Sequence, residues 1–304
     1  MSKSIWGGIS SVFGLLFILI GCAEVIQVGT TVGQGMGQIS KEDKEKIDRL
    51  ALQTEKAIRP MNEQEEYYVG RAVAATILGQ YRFYRNEKLT RYLNEVGQAV
   101  ALASSRPFTY GGYHFAVLDT DEVNALACPG GIIFISRGML KKTQNEEEVA
   151  AILAHEIAHV SHKDGLGAIR SARWAEVVTA LGTEAARKLS GAQLAQLVSL
   201  FEGSVNDVAK TLLVNGYSRE QESAADLSAL SYMNRIGYDP NGLADYLEKL
   251  AREQRAGANK GIFGTHPGMQ DRLSNAKSLI AEKKWTPTDY PNRNRRFKQL
   301  FPIS

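Results

Sequence analysis

One stretch of the sequence, EVAAILAHEIAHVSHKDG from Glu148 to Gly165, places three histidines and acidic residues in an otherwise apolar run. His155 and His159 are four residues apart, so on a helix their imidazoles project from one face, one turn apart. Two such imidazoles can bind one tetrahedral zinc ion, and the adjacent Glu156 can take a proton from an attacking water and pass it to a leaving amine. The pattern indicates zinc-dependent hydrolysis; the alternative is a buried core helix whose polar side chains are satisfied.

A catalytic zinc site needs a third protein ligand. His162 lies seven residues after His155, about 10 Å along a continuous helix, which is too far for all three histidines to converge without strain. Glu222, 63 residues after His159, opens a second helical run and can complete a site of two histidines and one glutamate. Asp226 lies on the same face and can accept the outer N–H of a ligand histidine. The alternative for both acids is a solvated helix start whose charges complement the helix dipole.

The candidate zinc ligands are carried by predicted helices, and the sequence marks where the first of these helices begins. Asn145 can cap the helix that carries the histidines, and Glu148, three residues later, is predicted to close a capping box. Small residues at Ala224 and Ala225 would let the helix that carries Glu222 approach closely. Four apolar residues are predicted to anchor the first helix in the core: Val149, Ile152, Leu153 and Ile157.

Strands are predicted only in the middle of the chain. His114–Asp119 and Ile132–Ser136 are β-branched or aromatic runs bounded by glycine or proline. Helical periodicity begins at Asn62, and almost everything after Thr143 is predicted to be helix or loop. The fold class is therefore α+β and mainly helical, with one small β-sheet. A net charge of +3 is too small to indicate a nucleic-acid partner.

The N-terminus has the organisation of an export signal. Lys3 precedes the apolar run Ile5–Ile20, which is shorter than the roughly 20 residues of a spanning helix. The run ends in Leu-Ile-Gly-Cys at Cys22 and resembles a bacterial lipoprotein signal; an uncleaved anchor or an ordinary signal peptide are the alternatives. The resemblance implies a lipid anchor on Cys22. Because Ala23 is not aspartate, it also implies the outer membrane of a bacterial cell envelope, facing the periplasm.

HEIAH, followed much later by Glu-x-x-Ala-Asp, resembles the membrane-associated zinc endopeptidases of the CAAX prenyl protease, HtpX and BepA group, which are gluzincin metallopeptidases. The resemblance covers about residues 62–283. It implies a zincin-like metallopeptidase domain with its small sheet beside the HExxH helix, and one Zn²⁺ per chain. The sequence departs from the BepA type in one respect: we expect a lipoprotein form without C-terminal repeats. The site residues that the resemblance implies are the metal ligands His155, His159 and Glu222, the general base Glu156 and the supporting acid Asp226.

Two further stretches match this group. NALACPGGIIFIS resembles the strand beside the active site, so Asn124, Ala125, Leu126 and Ala127 are predicted to pair with an extended substrate; a plain core hairpin is the alternative. THPGMQDRL, Thr265 to Leu273, resembles a His-Pro element.

Pro267 suits the first turn of a helix, which would leave His266 at the helix mouth. His266 could then be a reversible fourth ligand that keeps an enzyme latent, a hydrogen-bond donor to the oxyanion, or a helix cap. Arg272 could steady the loop or bind a substrate carbonyl.

The sequence divides into a signal peptide (residues 1–21), a lipid-tethered flexible linker (22–45), a zinc metallopeptidase domain (46–285) and a basic C-terminal tail (286–304). The tail is either solvated or docked, or it contacts anionic lipid or a partner. The function expected by resemblance is endopeptidase cleavage of unfolded or misassembled envelope proteins. The rivals are a zinc-stabilised, chaperone-like binding protein with latent proteolysis, and a helical domain without metal. The oligomeric state stays open.

Overall fold

The structure, a computed structural model, describes residues 40–41, 61–169, 191–257, 261–285 and 290–301. The chain divides into a unit of residues 1–60 and 171–201 and a unit of residues 61–170 and 202–304. The predicted signal peptide, Cys22 and nearly all of the linker lie outside the described residues. None of the helices in the described ranges is long and apolar enough to cross a membrane.

The larger unit is mainly helical and contains one small sheet, which confirms the predicted fold class. Its strands are β1 (His114–Leu118), β2 (Ala125–Cys128) and β3 (Ile132–Ser136). The helices in the described part of the chain are α1 (Glu63–Leu78), α2 (Glu87–Ala103), α3 (Arg137–Lys141), α4 (Glu146–His162), α5 (Gly191–Lys210), α6 (Arg219–Arg235), α7 (Asn241–Arg255), α8 (Ile262–Thr265), α9 (Met269–Lys283) and α10 (Pro291–Leu300). Single turns of other helical types lie at Pro129–Gly131, Asp164–Ala168 and Thr211–Asn215.

The three strands lie in the order β1-β3-β2, with β1 parallel and β2 antiparallel to β3. The outer edge of β1 is capped by a side chain, because Asn94 bonds both the N–H and the C=O of Phe115. Tyr84 N–H adds a bond to the carbonyl of Val117. This edge therefore has little free backbone to offer another strand, whereas β2 forms the opposite edge.

Helix α4 carries HEIAH through the middle of the unit. Its predicted anchor residues Val149, Ile152, Leu153 and Ile157 are all buried, and the helix packs against α6, α7, α2 and β2. Burying each such side chain contributes about 1.5–3 kcal/mol. The two histidines are thus held on a helix that is fixed by the core on several sides.

The start of α4 differs in one respect from the prediction. Asn145 caps the helix through a 2.9 Å bond from Glu148 N–H, as expected. Glu148 does not return the bond, so the predicted capping box is not formed. Its carboxylate instead accepts from Gln144 N–H at 2.8 Å and forms an ion pair with Lys249 of α7. A full positive charge close to the carboxylate is a stronger partner than a backbone N–H.

The predicted basic tail contains helix α10, which is docked rather than solvated. Arg296 forms a two-bond ion pair with Glu146, the first residue of α4. Glu146 is 0% exposed and also accepts from the Tyr238 hydroxyl at 2.8 Å. Phe297 is buried and stacks on Phe301. The compact unit therefore continues beyond residue 285.

Replacing Arg296 by alanine should destabilise the fold by about 2 kcal/mol, because a buried carboxylate loses its charged partner. The expected loss of stability is moderate because the Arg296 side chain is 43% exposed and water can reach the ion pair from that side. Urea unfolding of the variant measures the effect. Arg295→Ala, a change at an exposed position of the same helix, is the control and should change the free energy of unfolding little. Equal stabilities of the two variants would contradict the assigned contribution of the ion pair.

Candidate metal centre

Four side chains from three parts of the chain meet beside α4. His155 and His159 come from α4 itself, Glu222 from the first turns of α6, and His266 from the link between α8 and α9. Ala225 is fully buried where α6 packs against α4, as its small size predicts, whereas Ala224 is exposed and takes no part in this packing. All four side chains are buried, and one donor atom from each lies within 4.8 Å of the others.

The spacing of these four donor atoms suits a zinc ion. In a tetrahedral site with zinc–ligand bonds of about 2.1 Å, the ligand atoms lie about 3.4 Å apart. Here Nε2 of His155 is 3.0 Å from Nε2 of His159 and 3.3 Å from Nδ1 of His266. The Glu222 carboxylate is 3.4 Å from Nε2 of each of the first two histidines and 2.9 Å from Nδ1 of His266. Three imidazole nitrogens and one carboxylate oxygen are a donor set that zinc accepts.

The outer nitrogens of both α4 histidines face carboxylates. Nδ1 of His155 is 2.9 Å from Asp226, and Nδ1 of His159 is 2.7 Å from Asp164. Burial acts to lower the pKa of both imidazoles, yet these carboxylates together with Glu222 raise the pKa of both above its usual value. Each carboxylate selects the tautomer with its proton on Nδ1, which leaves the Nε2 lone pair facing the cluster.

Arg272 of α9 holds the two acids of α6 in their ionised form. Its guanidinium is buried, donates hydrogen bonds to Asp226 at 2.7 and 2.8 Å, and forms an ion pair with Glu222 at 2.6 Å. Burial acts to raise the pKa of both carboxyls. Arg272, with neighbouring histidines, outweighs burial, lowering the pKa of Asp226 to about 2 and that of Glu222 well below its usual value. Its donors therefore serve these two acids rather than the loop or a substrate carbonyl.

Glu156 lies next to the ligand cluster without joining it. One of its oxygens is 3.9 Å from Nε2 of His266, and the other is buried without a hydrogen-bond partner among the described residues. A cavity of about 20 Å³ lies against Glu156, His155 and His266. That volume is enough for one water molecule, and the unpaired carboxylate oxygen gives such a water a strong acceptor.

His266 lies in the ligand cluster and not at a helix mouth. Helix α9 begins at Met269, two residues later than Pro267 predicts, and its N-cap is Gly268 with no side-chain cap. Gly268 has φ +81°, a conformation that favours glycine and turns the chain just before the helix. This turn lets the link between α8 and α9 direct the His266 imidazole into the ligand cluster.

Comparison with known families shows to which protein family the chain belongs. Residues 87–280 match the model of peptidase family M48, and this range is more than half of the chain. The chain belongs to this family. The match confirms the family predicted from HEIAH and the later acidic pair, and with it a zincin-like fold and zinc as the metal.

Several members of the M48 family are similar over most of this chain. The beta-barrel assembly-enhancing protease of Escherichia coli (strain K12) is 24% identical over 80% of the chain and 49% of that protein. The protein of the same name from Yersinia pestis is 28% identical over 66% of the chain and 40% of that protein. Metalloprotease LoiP of Escherichia coli (strain K12) is 27% identical over 64% of the chain and 70% of that protein. The chain therefore spans about half the length, or less, of the first two relatives.

The M48 strand predicted to bind substrate is β2, and it forms an edge of the sheet. The carbonyl of Asn124 accepts from Ser136 N–H at 2.9 Å, so these two residues form a hydrogen-bonded pair of the antiparallel ladder. Because such pairs alternate along the strand, Ala125 and Ala127 direct their N–H and C=O groups away from β3, while Leu126 faces β3. The Ala125 N–H is covered by the Asn124 side chain at 3.1 Å.

Two residues near the M48 site were missed by sequence reasoning. Asp164 supports His159 because Lys163 ends α4 in the left-handed conformation, with φ 60°, and turns the chain back. Tyr217 stacks on His159, with ring centroids 4.1 Å apart. The available signals were their neighbours. Asp164 follows His159, the last histidine of the motif, by five residues, and Tyr217 precedes Ser218, the N-cap of the helix that carries Glu222.

The other histidines and the free cysteine take no part in the cluster. His162 lies 3.0 Å from Ser228 at the end of α4, in agreement with its rejection as a ligand. His114 bonds the carbonyl of Gly111 on the surface. Cys128 is buried and burial raises its thiol pKa, as expected of a small apolar core residue.

Replacing Asp164 by asparagine should weaken zinc binding about 10-fold, since outer partners of ligand histidines typically contribute 10–100-fold to metal affinity. The amide keeps the size of the side chain and loses the charge that holds the His159 tautomer. Competition with a fluorescent zinc chelator measures the affinity. Asp271→Asn, an exposed acid paired with Arg219, is the control. An unchanged affinity in Asp164→Asn would show that the contact does not support the metal.

Proposed function

We propose that this M48 chain is a zinc-dependent endopeptidase that hydrolyses internal peptide bonds of polypeptides. The observation that carries the proposal is the buried set of four donor atoms with the carboxylate of Glu156 beside it. A zinc ion held by these residues would polarise the scissile carbonyl and lower the pKa of a water toward 7. His155, His159 and Glu222 are the proposed ligands, with Asp226 and Asp164 as their supports.

The protein groups carry the proton through the reaction. Glu156 accepts a proton from the attacking water, the water oxygen bonds to the carbonyl carbon, and the carbon–nitrogen bond then breaks. The same carboxyl returns the proton to the leaving amine, so that one water is consumed for each peptide bond. Glu156 suits this proton transfer because it is buried and one of its oxygens accepts no hydrogen bond from the described residues. That oxygen is therefore available to the attacking water.

Polypeptide substrates would bind as an added strand on β2. The C=O of Ala125 and the N–H and C=O of Ala127 face away from β3 and could bond an extended backbone, which gives affinity with little demand on sequence. The Ala125 N–H could join them only after leaving the Asn124 side chain. The ligand cluster and Glu156 are buried, so a substrate reaches them only after part of the surrounding chain moves. Unfolded chains are the polypeptides that can adopt the extended form without cost to their own fold.

We place the proposed activity at the cell envelope. Cys22 is the proposed lipidation site after removal of residues 1–21, and residues 22–45 are the proposed tether to the peptidase domain, which includes α10. Ala23 favours the outer membrane with the domain facing the periplasm. The names of the similar proteins refer to assembly of β-barrels, which supports unfolded or misassembled envelope proteins as the substrate class.

Incubation of the zinc-loaded protein with casein, a loose polypeptide, tests the function. We expect internal fragments by mass spectrometry, because an endopeptidase cleaves away from the chain ends. Release of single terminal residues, or complete absence of cleavage under all conditions including the His266 variant below, would contradict the proposal.

A second candidate function is a zinc-stabilised, chaperone-like binding protein with latent proteolysis. The position of His266 favours it, because Nδ1 lies within 3.3 Å of donor atoms of both His155 and Glu222, where a fourth ligand would close the site.

Replacing His266 by alanine should increase casein cleavage about 10-fold or more. A closed site must open before it reacts, and open minor states are typically populated at about 0.1–10%. Initial cleavage rates at equal zinc loading measure the effect, with His162→Ala as the control for loss of a histidine outside the cluster. A slower His266→Ala enzyme would contradict latency and assign His266 a direct role in catalysis.

A further inference from the structure

We propose that the hydroxyl of Tyr217 donates a hydrogen bond to the oxygen of the scissile carbonyl as negative charge develops on it. The inference rests on the proposed endopeptidase function and adds a residue to it. Tyr217 immediately precedes Ser218, the N-cap of α6, and it is one of the two site residues that the sequence analysis did not identify.

The ring of Tyr217 lies directly against the proposed ligands. It stacks on the His159 imidazole with centroids 4.1 Å apart and planes at 19°. The His266 ring is 5.9 Å away in an edge-to-face arrangement. The phenol therefore borders the region where a carbonyl held by the metal centre would lie.

Among the described residues, the Tyr217 hydroxyl has no hydrogen-bond partner. Tyr217 is 6% exposed, and its oxygen is buried without a hydrogen bond in the described part of the chain. A buried donor without an acceptor costs stability, and phenylalanine would fill the same space without that cost. A hydroxyl at this position is therefore explained by an acceptor that arrives with the substrate.

The surroundings of the hydroxyl point to the substrate strand. Gly165 lies between the Tyr217 hydroxyl and Pro129. A Cβ added to Gly165 would be 3.7 Å from the Tyr217 oxygen and 3.5 Å from the Pro129 ring. Pro129 directly follows β2, the strand proposed to pair with substrate. The donor thus lies between a metal ligand and the end of that strand, where a substrate carbonyl passes from the strand to the metal.

The backbone fixes this placement. Tyr217 N–H bonds the carbonyl of Thr265 at 3.0 Å, which ties it to the residue before His266. The preceding Gly216 has φ +72°, and a Cβ there would be 2.5 Å from the same carbonyl oxygen. The Tyr217 backbone is held by its hydrogen bond and its ring by stacking on His159. The hydroxyl is therefore oriented before substrate binds, as electrostatic stabilisation of a transition state requires.

Tyr217→Phe tests the inference by removing only the hydroxyl. We expect kcat on a defined peptide to fall about 100-fold, the usual cost of losing one donor to an oxyanion, while KM changes by less than about twofold. Zinc content and melting temperature should stay at their wild-type values. Tyr92→Phe is the matched control, since the Tyr92 hydroxyl is also buried without a hydrogen bond to any described residue but lies on α2, outside the site. It should leave kcat unchanged.

Binding of a phosphinic pseudopeptide gives a second readout that does not depend on turnover. Its tetrahedral anion resembles the transition state, so Tyr217→Phe should weaken its binding about 100-fold while leaving binding of the uncleaved product peptides unchanged. An unchanged kcat, a change confined to KM, or a loss explained by missing zinc would overturn the inference while leaving the endopeptidase function intact. Absence of cleavage by both the wild type and His266→Ala would overturn both.

Discussion

Glu156→Gln is expected to keep its zinc and to lose about 10²–10⁴-fold of its activity on casein. The amide has the size of the carboxylate but cannot take a proton from water at neutral pH. Glu156 is not among the four grouped donor residues, so the metal should stay in place. The loss corresponds to about 3–5 kcal/mol of transition-state stabilisation, which is the share of a general acid–base.

The measurement is the casein cleavage rate of wild type and variant at equal zinc content, determined on the same samples by elemental analysis. Glu147→Gln, an acid on the same helix whose carboxylate faces Arg293, is the matched control and should retain its activity. Full activity in a zinc-replete Glu156→Gln protein would remove this residue from the mechanism.

Glu222→Gln is expected to abolish zinc binding at stoichiometric metal. It removes an anionic ligand, and the loss should exceed the roughly 10–100-fold that follows from removing an outer partner. The change also leaves Arg272 with one carboxylate instead of two. Since breaking a buried ion pair from one side costs about 3–5 kcal/mol, the variant should also unfold at lower urea concentration.

Zinc content after purification and dialysis measures the first effect, and urea unfolding of the zinc-free proteins measures the second. Glu220→Gln lies on the same first turn of α6 but is exposed, so it serves as control for both. One zinc per chain retained in Glu222→Gln would mean that the third ligand is elsewhere.

His155 and His159 of the donor cluster could be predicted because their positions follow from a local rule. A four-residue spacing places His155 and His159 on one helical face whatever the rest of the chain does, and the apolar residues around them specify which face is buried. Glu222 is remote in the sequence, and its assignment came from the family pattern of HEIAH with a later acidic pair. The strands β1 and β3 were likewise readable from their short β-branched runs between glycines and prolines.

Features that depend on contacts between residues far apart in the sequence could not be predicted. The Glu148 capping box failed because Lys249, a hundred residues later, supplies a stronger partner. The docking of α10 depends on Arg296 meeting Glu146, which no local pattern encodes. Asp164 supports a ligand only because Lys163 adopts a left-handed conformation, which sequence rarely specifies for a non-glycine residue.

Titration of the metal-free protein with zinc, with casein cleavage measured at each step, tests whether this chain is a zinc-dependent protease. We expect no cleavage without metal and a rate that rises linearly to a plateau at one zinc per chain. Cleavage that proceeds without metal, or zinc bound at one per chain with no cleavage in either the wild type or His266→Ala, would contradict this expectation.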